Sequence, residues 1–422
     1  MSGGHPDTSA GLRIAQLTNE YPPHVYGGAG VHIEYLSREL ARAEGGAHRV
    51  QVLCFGEQRS EDGNLRVEGV APDVTFPVRD PRHARLMDAL ARDLAMVGRV
   101  DAPHIVHCHT WYSHLAGALA RPLTGARLVL TTHSLEPHRP WKVEQLGSAY
   151  HVTTWIERTA YQNAHGVVAV SQAMKADVRD LYGVGPERIR VIHNGIDPDE
   201  YQPRRDPGVL RSLGVDPDLP MVLFVGRITR QKGILHLVRA IRHLRPGLQV
   251  VLCAGAPDTP EIGEEMKALV DEARRDAADP IVWLPEMLPK EQVIVLYSHA
   301  DVFVCPSVYE PFGIINLEAM ACETPVVASA VGGIPEIVVP GETGTLVPIE
   351  PEGGGSVEPR DPEAFSRALA TAVNELMDAP ERRAAMGRAA RERVLAHFSW
   401  RAIAEQTLDF YRELLARPAE AR

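Results

Sequence analysis

Paired cysteines, long apolar runs, an excess of positive charge and a dinucleotide fingerprint are all missing from this sequence of 422 residues. The five cysteines, Cys54, Cys108, Cys253, Cys305 and Cys322, show no C-x-x-C spacing, and four lie in or beside apolar strand-like runs. They read as buried thiols of a reducing compartment, not as a disulfide framework. No segment approaches the roughly 18 uninterrupted apolar residues of a membrane span. The first residues, MSGGHPDTSAG, are polar and lack the apolar core of a signal peptide. A cytoplasmic protein with no membrane partner is expected. Lysine and arginine number 44 against 55 acids, 44 − 55 = −11, so a nucleic-acid backbone would be repelled on average. No G-x-G-x-x-G follows a strand, which counts against an NAD oxidoreductase.

What is present is an ordinary globular composition, 45% hydrophobic and 23% charged, over a length that suits two domains. Short β-rich runs recur at 12–17, 49–54, 104–108, 128–131 and 167–170, with helix-length segments between several of them. A second series restarts at 221–225 and continues at 248–253, 281–284, 302–305 and 325–328. The alternation predicts an α/β fold of two Rossmann-like, doubly wound parallel sheets facing across a cleft. Residues 194–208, N-G-I-D-P-D-E-Y-Q-P-R-R-D-P-G, read as the connection, with a boundary near 205. The expected division is 1–205, 206–398 and a C-terminal amphipathic helix over 399–422 that packs back across the domains. Leu86, Leu90 and Leu94 predict one face of a helix over 84–97, and the glycine-rich 350–360 reads as a flexible surface loop.

Ligands of doubly wound sheets bind beyond the carboxyl ends of the strands, so the residues after each run carry the chemistry. Y-G-G-A-G (26–30) precedes a helix expected near Val31; Gly27 and Gly28 either bring amides to a phosphate or merely make the turn. G-R-I-T-R-Q-K-G (226–233) places Arg227 and Lys232 beside a helix start, where cations and free amides suit a diphosphate or are simply surface charges at a turn. It is not a Walker A loop. In E-P-F-G-I-I-N-L-E, Glu310 sits in a loop and Glu318 about two helical turns on. The amides of Phe312, Gly313, Ile314 and Ile315 can face a phosphate. His133, in T-T-H-S-L-E-P, lies just past a strand, where it either contacts substrate or caps the strand; Arg139, Trp141 and Lys142 follow, either as cations and an indole suited to an anionic or sugar acceptor or as an ordinary open surface loop. H-I-V-H-C-H (104–109) reads as a strand with His107 and His109 on one face, and D-P-D at 197–199 and 216–218 as turns. No metal is expected at either.

Taken together, E-Y-P-P-H-V-Y-G-G-A-G, T-H-S-L-E-P, R-P-W-K-x-E-Q-L-G, G-R-I-T-R-Q-K-G and S-V-Y-E-P-F-G-I-I-N-L-E-A-M-A resemble the family-4 retaining glycosyltransferases of the two-domain B-type fold. The resemblance spans nearly the whole chain and is strongest to the shorter bacterial glycogen synthases, a group that includes makers of maltose 1-phosphate from ADP-glucose and glucose 1-phosphate. It implies an acceptor-side N-terminal domain and a donor-binding C-terminal domain. It implies that Arg227 and Lys232 hold the diphosphate, Glu310 a donor-sugar hydroxyl and Glu318 the ribose. Gly28 would complete the phosphate site, and His133 would lie near the anomeric carbon. His109 joins Arg139, Trp141 and Lys142 as expected acceptor contacts. The longer starch-synthase-type enzymes carry K-x-G-G and H-D-W where this chain has Val25-Tyr26-Gly27-Gly28 and His109-Thr110-Trp111.

The implied activity moves glucose from ADP-glucose to an α-1,4-glucan or glucose 1-phosphate with retention, using no protein nucleophile and no obligatory cofactor or metal. A homodimer is compatible with all of this. Three other readings stay open: a nucleotide-sugar epimerase of the same fold, a family-4 transferase with a UDP- or GDP-sugar, and a non-catalytic carbohydrate-binding protein.

Overall fold

A computed structural model describes residues 11–418 except 26, 73, 278, 354 and 355. The chain forms two compact units, Met1–Asn194 with Trp400–Arg422, and Gly195–Ser399. Among the described residues no helix is long and apolar enough to cross a membrane.

The first unit carries β1 (Arg13–Leu17), β2 (Arg49–Phe55), β3 (Arg59–Asp62), β4 (Leu65–Val70), β5 (Ile105–His109), β6 (Arg127–Thr132), β7 (Gly166–Ala169) and β8 (Ile189–Val191). Their order in the sheet is β3-β4-β2-β1-β5-β6-β7-β8, and every pairing is parallel except β3 with β4. The strand order reverses between β1 and β5, which opens a crevice at their carboxyl ends. One face of the sheet packs Ile14, Val50, Val52, Ile105 and Val129 against Ile33, Leu36 and Leu40 of the helix Gly28–Gly46.

The second unit carries β9 (Met221–Arg227), β10 (Gln249–Gly255), β11 (Ile281–Leu284), β12 (Val302–Cys305), β13 (Val326–Ser329) and β14 (Gly344–Val347), all parallel, in the order β11-β10-β9-β12-β13-β14. Its reversal lies between β9 and β12. Both faces are covered, so the strands are continuous apolar runs such as V-F-V-C, buried throughout. All ten strands expected from the apolar runs form within a residue or two of their predicted bounds.

Several details differ from the sequence reading. The change of unit falls after Asn194, ahead of the expected residue 205, because the following segment is tied to the second unit. The Ile196 amide donates to the Phe398 carbonyl at 2.8 Å, and Arg391 donates to the Tyr201 carbonyl at 3.1 Å. The C-terminal helix Trp400–Ala416 belongs to the first unit, where Trp400, Ile403, Leu408, Phe410 and Leu414 join the core. The helix Ala84–Val97 forms, but Leu94 is 57% exposed while Leu86, Ala89 and Met96 are buried. Four-residue steps overrun a helical turn by about 40° each, so the third leucine has rotated off the face. The expected loop over 350–360 contains strands: β15 (Pro351–Gly353) and β16 (Ser356–Pro359) pair antiparallel. Among the described residues the five cysteines are buried and free, and burial raises the thiols of Cys54, Cys253 and Cys322 to about 12, 11 and 12. Both D-P-D runs are turns: Asp197 accepts from the Asp199 amide at 3.0 Å and Asp216 from the Asp218 amide at 2.9 Å.

Candidate active site

In the second unit the loops after β9 and β12 flank the reversal and are bound to each other. The Val308 amide donates to the Gln231 carbonyl at 3.0 Å. Gly233, in the left-handed region at φ +61°, comes so close to Pro306 that a Cβ would lie 2.0 Å from its carbonyl oxygen. The result is a pairing across the two loops: Lys232 Nζ donates to Glu310 Oε2 at 2.7 Å, and Ser307 Oγ donates to the same oxygen at 3.0 Å. Glu310 is buried, so its charge is held by these two donors instead of water. Its own loop is fixed from behind by Gly332, at φ +55°, and by the Gly333 amide donating to the Glu310 carbonyl at 3.0 Å.

Beyond Glu310 the helix Ile314–Ala321 begins at Gly313, whose φ of +107° lets the chain turn sharply into it. Glu318 on this helix receives the Tyr297 hydroxyl at 2.9 Å and the Tyr201 hydroxyl at 3.3 Å, one on each carboxylate oxygen. Burial raises its pKa above the usual range while the tyrosines and the charges of Lys290 and Lys232 hold it down. Arg227, at the end of β9, is paired with Asp258 at 2.8 Å.

In the first unit the equivalent crevice is bridged by Thr110 Oγ1 donating to Asn19 Oδ1 at 2.8 Å and Ser113 Oγ donating to the Leu17 carbonyl at 2.9 Å. Thr110 adopts φ 66° and ψ 160°, a conformation otherwise left to glycine, and such strain gathers at functional sites. His109, His133 and His32 converge here: the His109 and His133 rings are joined by a 3.0 Å hydrogen bond, and the centroid of His32 is 4.8 Å from that of His133. Burial drives His32 down to about 4 and His107, His109 and His133 well below the ordinary imidazole value, so all four rings are neutral at pH 7. The helix Gly28–Gly46 starts earlier than the expected Val31, with Gly27 as its N-cap. The Gly27 amide already donates to Glu20 Oε2 at 2.9 Å, so Gly27 is not a free phosphate donor in this arrangement.

The segment after His133 does not form the open surface loop that its cations suggest. Lys142 and Arg139 turn inward, their nitrogens 3.5 and 3.7 Å from Glu136 Oε1, and Lys142 is buried. Glu136 donates its amide to Glu157 Oε2 at 2.9 Å, and burial beside that second carboxylate pushes Glu157 up to about 8. Trp141 remains half-buried.

Residues 26–200 match the profile of Glycosyltransferase Family 4, and residues 210–393 that of Glycosyl transferases group 1. Over 96% of this chain and 100% of the relative, the sequence is 49% identical to an alpha-maltose-1-phosphate synthase of Mycolicibacterium smegmatis. The chain belongs to glycosyltransferase family 4. A glycogen synthase of Mycobacterium tuberculosis is 31% identical over 95% of this chain and 94% of its own. Among solved structures, sucrose-phosphate synthase from Thermosynechococcus elongatus superposes with a TM-score of 0.77 at 28% identity, covering 96% and 99% of the two chains. The two parallel-sheet units are thus the GT-B fold, and the protein is a glycosyltransferase.

For this family-4 enzyme, the structure joins Lys232 and Glu310 directly and ties Glu318 to two tyrosines. Residues that sequence reasoning did not single out are Ser307, Tyr201, Tyr297 and Asp258 in the second unit, and Glu20, His32 and Asn194 in the first. Ser307 lies inside the S-V-Y-E-P-F-G run and could have been noticed there. Tyr201 and Tyr297 are single residues outside the site motifs, and His32, two residues past Y-G-G-A-G, shows no pattern of its own, so only folding brings them in.

Proposed function

We propose that this glycosyltransferase moves glucose from ADP-glucose to glucose 1-phosphate, or to the end of an α-1,4-glucan, with retention of configuration. The observation that carries the reading is the Lys232–Glu310–Ser307 arrangement at the reversal of the second sheet. A buried acid there holds an ammonium beside the start of a helix, where a diphosphate is stabilised by both charge and backbone amides. Full-length likeness to an alpha-maltose-1-phosphate synthase supports the substrates.

In this reading Arg227, Lys232 and the amides of Phe312, Gly313, Ile314 and Ile315 take the charge of the leaving diphosphate. Glu310 grips a donor-sugar hydroxyl and Glu318 the ribose. His133, kept neutral by burial, contacts the sugar as a hydrogen-bonding group rather than as a cation. The bond from the anomeric carbon to the diphosphate breaks, the acceptor hydroxyl adds on the same face, and its proton passes to the departing diphosphate. No step calls for a protein nucleophile or a metal. Arg139, Trp141, Lys142 and His109 serve the acceptor, with Glu136 keeping the two cations in place.

Nucleotide release from ADP-, UDP- and GDP-glucose, each with glucose 1-phosphate, with glycogen and with no acceptor, tests the proposal. Release should require an acceptor, be fastest with ADP-glucose, and give an α-linked product. A β-linked product would refute retention, and acceptor-independent conversion of the sugar nucleotide would favour an epimerase.

A further inference from the structure

The three histidines of the first unit come from separate elements: His32 from the helix Gly28–Gly46, His109 from the end of β5, and His133 from just beyond β6. One ring nitrogen of each lies within 4.8 Å of the other two. His32 Nδ1 is 2.7 Å from Asn194 Oδ1. An amide oxygen only accepts, so Nδ1 carries the ring proton and Nε2 presents a bare lone pair. That Nε2 has no hydrogen-bond partner although His32 is 1% exposed. Burying a polar nitrogen without a bond costs desolvation with nothing in return, so such atoms call for an explanation. The neighbouring His107 shows the contrast. Both its nitrogens are satisfied, by the Tyr411 hydroxyl at 2.5 Å and the Thr131 hydroxyl at 2.6 Å.

We infer that His32, His109 and His133 form a binding site for a divalent transition metal of the zinc class, with Asn194 orienting His32 from behind. Three neutral imidazoles with a fourth position left open are a zinc donor set, and a carbonyl oxygen on the far ring nitrogen is the usual outer support. Tetrahedral zinc with bonds of about 2.0–2.1 Å holds its nitrogens about 3.3 Å apart. The His109 and His133 nitrogens are already at 3.0 Å, so closing the set needs an inward movement of His32 or His133 on the order of 1 Å. The proton shared by His109 and His133 moves to the other nitrogen of its ring as the metal takes both lone pairs. His133 keeps some exposure, which gives an ion access. The three ligands are uncharged, so an anion is the fitting fourth ligand. A consequence rests on the transferase reading: metal on His133 removes it from the donor sugar, so zinc is a reversible inhibitor and not a cofactor.

The test is titration of metal-free, full-length protein with zinc, by calorimetry and by competition with a chromophoric chelator. Cobalt then serves as a spectroscopic substitute. One equivalent should bind with a micromolar or tighter Kd, and cobalt should give the visible bands of a four-coordinate site. His32→Phe should weaken binding at least 30-fold and Asn194→Ala about 10-fold, while His151→Ala, an exposed histidine elsewhere in the unit, should leave it unchanged. Absence of stoichiometric binding, or equal affinity in His32→Phe, would overturn the site. Should His32→Phe not fold, X-ray absorption of zinc on the wild-type protein decides, since fewer than three imidazole ligands excludes the triad. Zinc binding by a protein that, when metal-free, releases no nucleotide from ADP-glucose would leave the site standing and sink the proposed reaction; release without zinc binding would do the reverse.

Discussion

Lys232 and Glu310 neutralise each other at 2.7 Å, so a diphosphate that draws the ammonium away must leave the carboxylate with another donor, which a sugar hydroxyl supplies. Removing the lysine therefore has two separable effects. Lys232→Ala should lower kcat by roughly 10²–10³, as loss of one preorganised charge partner does, and should also lower the melting temperature by leaving Glu310 uncompensated. Adding Glu310→Gln should restore much of the melting temperature and none of the turnover. Recovery of turnover in the double variant, read by nucleotide release, would show that the pair is structural.

The buried histidines set a pH dependence at the same scale. His32 and His114 are lowered to about 4 and 3, and His107, His109 and His133 well below the ordinary value, mainly by burial. Below about pH 6.5 the unfolded chain binds protons at these rings while the folded chain does not, so stability falls as the pH falls. Glu157, raised to about 8, works the other way, because its folded form holds a proton that is lost as the pH rises through 8. Burial raises Glu318 and Asp93 in the same sense as Glu157, and five rings against three carboxyls make the acid limb the steeper. Melting temperatures from pH 8 to 4 should drop sharply below 6.5, and a flat profile would contradict neutral burial. Glu157→Gln should weaken the decline toward pH 8 and steepen the acid limb, because the proton that folded Glu157 takes up between pH 8 and 4.5 opposes the loss at the rings.

At the scale of elements, the strands were legible because both faces of a parallel sheet are covered, so each central strand is an uninterrupted apolar run. The strands that went unread, β3, β4, β8 and β14, are short or partly exposed, and R-S-E-D of β3 has no apolar residue at all. The pairing of β15 with β16 was hidden by the run of glycine and proline in E-P-E-G-G-G-S-V-E-P-R, which carries no apolar alternation. The loops that present Glu310 depend on close backbone approach, and Gly332 is where this is tightest: a Cβ would lie 1.9 Å from the Glu310 carbonyl oxygen. Gly332→Ala combines that collision with left-handed strain worth roughly 1–3 kcal/mol. It should lower the melting temperature and reduce turnover together, by displacing Glu310. Unchanged kinetics in a destabilised Gly332→Ala would mean that the Glu310 loop tolerates movement.

At the scale of the whole molecule, the chain leaves its first unit after Asn194 and returns to it at Trp400. The returning helix is part of the first core: Trp400 stacks on Tyr35 with centroids 5.5 Å apart, and the Tyr411 hydroxyl meets His107 at 2.5 Å. Tyr411→Phe should cost about 1–3 kcal/mol by stranding a buried imidazole nitrogen. Ending the chain at Ser399 should abolish the first unit's thermal transition in calorimetry and leave that of the second. A truncated protein that kept both transitions would show the helix to be dispensable.

The two parallel sheets and the stretches that carry chemistry were legible in local patterns of apolar runs, glycines and charges, and the family in the resemblance of its motifs. The sequence did not reveal which acid holds Lys232, that Arg139 and Lys142 turn inward to Glu136, or that His32 joins His109 and His133. Those relations join residues as far apart as Lys232 and Glu310 or His32 and Asn194. Their partners are chosen by sheet order and by the burial that makes an unpaired polar atom costly, and neither exists until the chain has folded.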